Sequence, residues 1–136
     1  MKPILDHSSD VVIAVRGPNL RALFSRALKQ MGRHLKPGYC GETAHFDCCK
    51  YIRLQAVDPA TLLVDFLSEA LTFTYVEKAI FCYVYFQRLN EQQLTAWVFG
   101  RWYASLENEI KAATFHEARV RKTPEEGWEA SVCCGW

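Results

Sequence analysis

The sequence predicts an α+β fold: a two-layer sandwich in which a roughly six-stranded, mostly antiparallel sheet carries two helices on one face. Three observations lead there. Apolar residues recur at helical spacing in only two stretches. The elements run strand, helix, strand, helix and then four strands. Two helices cannot cover both faces of six strands, so one face of the sheet stays outside the core. With 136 residues the chain is expected to form one domain, residues 1–136, with a core large enough to need no staples.

Val11 to Arg16 is β-branched and apolar on both faces, which predicts a fully buried first strand. Gly17-Pro18-Asn19 supplies a turn and a helix start, Pro18 suiting a first helical position and Asn19 a cap. Leu20, Leu23, Phe24, Ala27, Leu28 and Met31 form one stripe of an amphipathic helix. That helix should fail near Gly32 and in any case before Pro37-Gly38. Between Ala44 and Leu54, Phe46, Cys48, Ile52 and Leu54 alternate with Asp47, Tyr51 and Arg53, a strand with one covered face; Lys50 interrupts that face, as near an edge. Asp58 and Pro59 are a cap and a first helical residue for a second helix, with its stripe at Leu62, Leu63, Phe66, Leu67, Ala70 and Phe73. Strands follow at Ala79 to Leu89, Leu94 to Phe99 and Glu109 to Arg121. After the loop Lys122 to Gly127, Trp128, Ala130, Val132 and Cys134 mark one face of the last strand.

Sixteen basic and fifteen acidic residues leave a formal charge of +1, which argues against nucleic-acid binding by bulk electrostatics and against direct sequence-specific contact of that kind. No apolar run is long enough to span a bilayer, so no membrane association is expected. The start, Met1 to His7, is too short and too soon polar for a signal peptide, which predicts a cytoplasmic protein with reduced thiols. The six cysteines, two adjacent pairs and no C-x-x-C, make a poor disulfide framework; Cys40 and Cys82 read as small buried hydrophobes. No glycine-rich phosphate loop, G-x-S-x-G or H-E-x-x-H is present, so no enzyme activity is expected.

Three clusters could carry chemistry. Asp6, His7 and Asp10 put two carboxylates and an imidazole just before a strand, enough to hold a hard cation or orient a partner's polar group; a solvated turn is the plainer reading. Thr114 and His116 share one strand face and Lys111 lies on the other; a hydrogen-bonded structural histidine is the plainer reading there. Cys40, His45, Cys48 and Cys49 fall within ten residues and suggest zinc, although Cys48 and Cys49 point to opposite sides of a strand. Gly100-Arg101-Trp102 reads as a turn with a cation beside aromatics.

Four stretches, in order, resemble the archease family. Asp6 to Ile13 is similar to its opening His-Thr-Ala-Asp tract, Asp58 to Leu71 to its second helix, Glu109 to His116 to its Glu-Ile-Lys-Ala-Val-Thr-Tyr-His strand, and Gly127 to Val132 to its last strand. The resemblance implies a non-catalytic activator of an RtcB-type RNA-splicing ligase, one that promotes guanylylation and repeated turnover in tRNA splicing or RNA repair. It also implies a divalent metal, calcium, with Asp10 as the first ligand. The family's C-terminal Asp is replaced by Gly135, leaving the Gly135 carbonyl and a terminal carboxylate on Trp136 as further oxygens, so a weakened or absent site is expected. His7, Lys111 and His116 would face the partner. Ser8 and Ser9 replace the usual Thr-Ala, Val12 a usual Gly, and Arg101 stands where the family often has an acid. The alternative is an archease-fold binding module that has lost ligase activation and serves another partner through Trp97, Trp102, Tyr103 and Trp136 or through its cysteines.

Overall fold

Both helices begin at the capping side chains that the sequence offers. The computed structural model describes residues 11–41, 45–110 and 116–134, without the side chains of residues 116 and 134. In helix α1, Leu20–Leu35, Asn19 is the cap and its side chain accepts a hydrogen bond from the Ala22 N–H at 2.9 Å. Pro18 therefore lies before the cap rather than at the first helical position. In helix α2, Pro59–Glu77, Asp58 accepts from the Thr61 N–H at 2.7 Å and Pro59 opens the first turn, where a missing N–H costs nothing.

The six strands are β1 Val11–Gly17, β2 Cys48–Gln55, β3 Ala79–Leu89, β4 Gln93–Trp102, β5 His116–Lys122 and β6 Trp128–Cys134. All their pairings are antiparallel. The fold is α+β as the sequence predicts, but the strands form two three-stranded sheets, β1-β6-β5 and β2-β4-β3, in place of one six-stranded sheet. Each helix packs on strands of both sheets and on the other helix, which joins the sheets into one core. That core includes the rings of Phe24, Phe66 and Phe86, with centroids 5.8, 6.0 and 6.4 Å apart.

Several expectations change in detail. β1 is an edge strand with one covered face: Ile13 is buried whereas Val12 is 54% exposed, because no third layer covers its outer side. Helix α1 continues through Gly32 and is capped at Lys36, just before Pro37. Gly32 serves close packing there, since a Cβ would lie 3.1 Å from Ile80 Cγ2. Lys50 on the covered side of edge strand β2 pairs with Glu77 at 3.0 Å and lies over the Phe73 ring. The strand expected from Ala44 begins at Cys48, and Ala44 lies outside the described residues. Glu109 and Ile110 are not strand; the described part of β5 starts at His116. Gly100, expected in a turn, sits inside β4, where a Cβ would lie 2.9 Å from the Ile80 carbonyl oxygen and from Phe81 Cδ1.

Cys40 and Cys82 are joined by a disulfide, which overturns the expectation of reduced, separately buried thiols. The return of the chain after α1 lays Cys40 over β3, a long-range pairing to which cysteine spacing is blind. No helix among the described residues is long and apolar enough to cross a membrane.

Candidate functional site

The three chain segments that carry the sequence-predicted site residues all join the sheet β1-β6-β5 at one end. Val11, the first residue of β1, pairs with Cys134, the last of β6, and His116, the first of β5, pairs with Cys133. Asp10 is covalently next to Val11, and Gly135 is next to Cys134. His7, Asp10, Lys111, Gly135, Trp136 and the His116 side chain lie outside the described residues. What the fold supplies is the convergence of their attachment points.

The approach to Lys111 is anchored from the helix layer. The Tyr75 hydroxyl donates to the Ile110 carbonyl at 2.7 Å and accepts from the Ile110 N–H at 2.9 Å, so one side chain holds both backbone groups of a buried residue. Burial raises the Tyr75 pKa above the usual phenol value, although the Ile110 contact opposes it. Beyond His116, Glu117 takes a left-handed backbone, φ 51°, at the register shift between His116 and Arg119. Such a conformation is costly for a residue with a Cβ and re-aims the strand beside the converging ends.

On the outer face of this sheet lies a cleft of about 830 Å³. Its floor is made of small side chains, Ala14 and Ser131, which face each other across β1 and β6. Arg16, Arg119, Arg121, Glu117 and Glu129 supply the charge around it. Glu129 binds Arg121 at 2.5 Å and Arg16 at 3.5 Å. The hydrogen bond from Arg121, helped by the charges of Arg121 and Arg16, holds the Glu129 carboxyl below the usual range despite some desolvation. Arg119 has no ion-pair partner among the described residues. The cleft was missed in the sequence, yet a signal was present: Arg119 and Arg121 alternate with Val120, which places both on one face.

The other candidate clusters resolve differently. Cys40 is bonded to Cys82 and is no zinc ligand, and no group of three or more His, Cys, Asp or Glu among the described residues could hold a metal ion. Arg101 donates to the Tyr39 carbonyl at 2.7 Å and lies 4.7 Å from that ring's centroid, so this cation is spent on packing. The Trp102 N–H donates to Asp47 at 2.9 Å, and His45 contacts the same carboxylate at 3.0 Å.

The Trp102 N–H is the main cause of a depressed Asp47 pKa, with His45 and Arg101 adding to it against desolvation. A carboxyl depressed by folding stabilises above its unfolded pKa, near 3.8, and that contribution is lost as the pH falls below it. Urea midpoints for the protein and Asp47→Asn should therefore differ at neutral pH, with the protein the more stable. They should converge as the pH drops well below 3.8. A gap that stayed constant would contradict this assignment.

The sequence profile of the Archease protein family matches residues 3–134 of this chain. The chain is 30% identical over 138 aligned positions to a Methanosarcina barkeri protein named "Protein archease", covering 94% of this chain and 90% of the relative. A Methanosarcina acetivorans protein of the same name gives the same identity and coverage. A Methanosarcina mazei relative, also named "Protein archease", is 28% identical over the same share of each chain.

Proposed function

Because the chain belongs to the archease family, we propose that it is a non-catalytic activator of an RtcB-type RNA-splicing ligase and promotes that ligase's guanylylation and multiple turnover. The observation that carries this reading is the β1–β6–β5 register, in which the tracts resembling the family's functional segments leave one end of one sheet. In this reading Asp10 and His7 face the ligase, Asp10 with its carboxylate, and Lys111 and His116 support them. A fixed charge of this kind can stabilise charge that develops on a partner.

The calcium of this reading relies on Asp10 and on oxygens of Gly135 and Trp136, with Gly135 contributing through its backbone alone. Calcium affinity rises with the number and charge of its oxygen ligands, so a set with Gly135 in place of a carboxylate binds more weakly than one with two acids. Calorimetric titration with calcium should give weak heats that vanish in Asp10→Ala. Tight binding that survives this change would remove Asp10 from the ligand set.

Ligation by the partner enzyme, followed over many turnovers with RNA halves in excess, tests the role of Asp10. The protein should sustain turnover, and Asp10→Ala should return it towards the unassisted rate. Full activity of Asp10→Ala would refute the role given to this residue.

A further inference from the structure

The face of the second sheet turned away from the helices carries rings where a solvated strand face ordinarily carries charge. In register across its three strands stand Tyr51, Trp97 and Tyr85. One pair further along, Phe99 stands beside Tyr83, and Phe46 stacks on Tyr83 at 6.2 Å. The rings touch one another, with Tyr51 and Trp97 centroids 5.0 Å apart and Tyr83 and Phe99 centroids 5.8 Å apart. Nevertheless Tyr51, Tyr83 and Tyr85 remain 44%, 47% and 54% exposed. None of them is needed to close the core, which lies on the opposite side of the same strands at Ile52, Val84, Leu94, Ala96 and Val98.

The charge on this face is one-sided. No Asp or Glu occurs anywhere in β2, β3 or β4. Next to the ring rows, Arg53 and Arg88 flank Thr95 from the two neighbouring strands. Among the described residues Arg53 and Arg88 have no ion-pair partner, and the Arg88 guanidinium donates to the Gln93 side chain at 3.3 Å. The Lys50 ammonium is held by Glu77 of α2. Asp47 is occupied by the Trp102 N–H and His45 at the far end, and Glu91 lies in the β3–β4 turn.

We propose that this face binds single-stranded RNA or DNA without sequence preference, bases stacking on the two ring rows and phosphates meeting Arg53 and Arg88. Every base has a flat π-face, so stacking on Tyr, Trp and Phe tolerates any sequence, and adjoining cations track the backbone. The near-neutral charge of the whole chain is no obstacle, because stacking supplies much of the affinity and the local field is set by strands free of acids. A second copy of the chain fits less well, since the same face turned on itself brings no carboxylate to Arg53 and Arg88. The inference goes beyond ligase activation and stands without it.

The test uses the purified protein alone and a short fluorescent oligouridylate, read by anisotropy, with the same RNA as a duplex beside it. The single strand should bind and the duplex should bind more weakly, because its bases are already stacked. Tyr51→Ala and Tyr85→Ala should each weaken binding by about five- to 150-fold, whereas Tyr51→Phe and Tyr85→Phe should retain it. Arg53→Gln combined with Arg88→Gln should lower the slope of log affinity against log salt by roughly 1.4, the value for two phosphate contacts on a single strand. No saturable binding up to about 10⁻⁴ M, the weak end of non-specific association, would overturn the proposal. So would ring variants that bind like the parent, or sedimentation showing a dimer that the tyrosine variants disrupt.

Discussion

Phe66→Ala should lower the free energy of unfolding by about 3–5 kcal/mol. Phe66 is fully buried and its ring forms a triangle of contacts with those of Phe24 and Phe86, from α1 and β3. Truncation removes the transfer energy of the ring and leaves a cavity whose walls belong to different layers. Those walls cannot collapse together, because Phe24 is fixed on a helix and Phe86 on a strand. A domain of this kind commonly has about 5–15 kcal/mol in total, so the variant should unfold at much lower urea while keeping the slope of its transition. A loss below about 1 kcal/mol would mean that the three rings do not form one packed centre.

Opening the Cys40–Cys82 bridge should cost about 4 kcal/mol, the chain-entropy value for a loop closed over a separation of 42 residues. The bridge ties the turn after α1 to β3, and Gly32 lies beside it, a Cβ there standing 3.5 Å from the Cys40 sulfur. Urea unfolding with and without a thiol reductant reads the effect. The parent should lose stability on reduction, and Cys40→Ala combined with Cys82→Ala should match the reduced parent and ignore the reductant. A parent indifferent to reductant would show that the bond contributes nothing to the folded state in solution.

What the sequence could reveal was whatever is encoded locally. Asn19 and Asp58 accept hydrogen bonds where their side chains face bare helix-start N–H groups, and this is visible from residue type and position. The stripes of α1 and α2 are legible for the same reason, since periodicity reports which side is covered. Hidden features depend on partners distant in sequence. Nothing in the order of strands says that β1 pairs with β6 and leaves β2, β4 and β3 as a separate sheet. The same blindness applies to Cys40 and Cys82, and to Gly32, whose missing side chain leaves room for Ile80. The apolar neighbours of Val12 predict burial, yet its exposure follows from the missing third layer.

The candidate site divides along the same line. Asp10, His7, Lys111 and His116 stand out by type and by resemblance, and the register joins their segments to one end of one sheet. The arginine cleft and the ring rows are not legible in residue order, because each is assembled from strands that meet only through pairing. Tyr51 and Tyr85 become neighbours across Trp97 only when β4 lies between β2 and β3.

Label transfer from GTP to the RNA ligase proposed as the partner, in the presence of manganese and with or without this protein, is the most direct measurement. Activation of guanylylation predicts that the protein increases the labelled ligase after each round of RNA joining. Equal labelling in both samples, with ligation stopping after one turnover in each, would contradict the account.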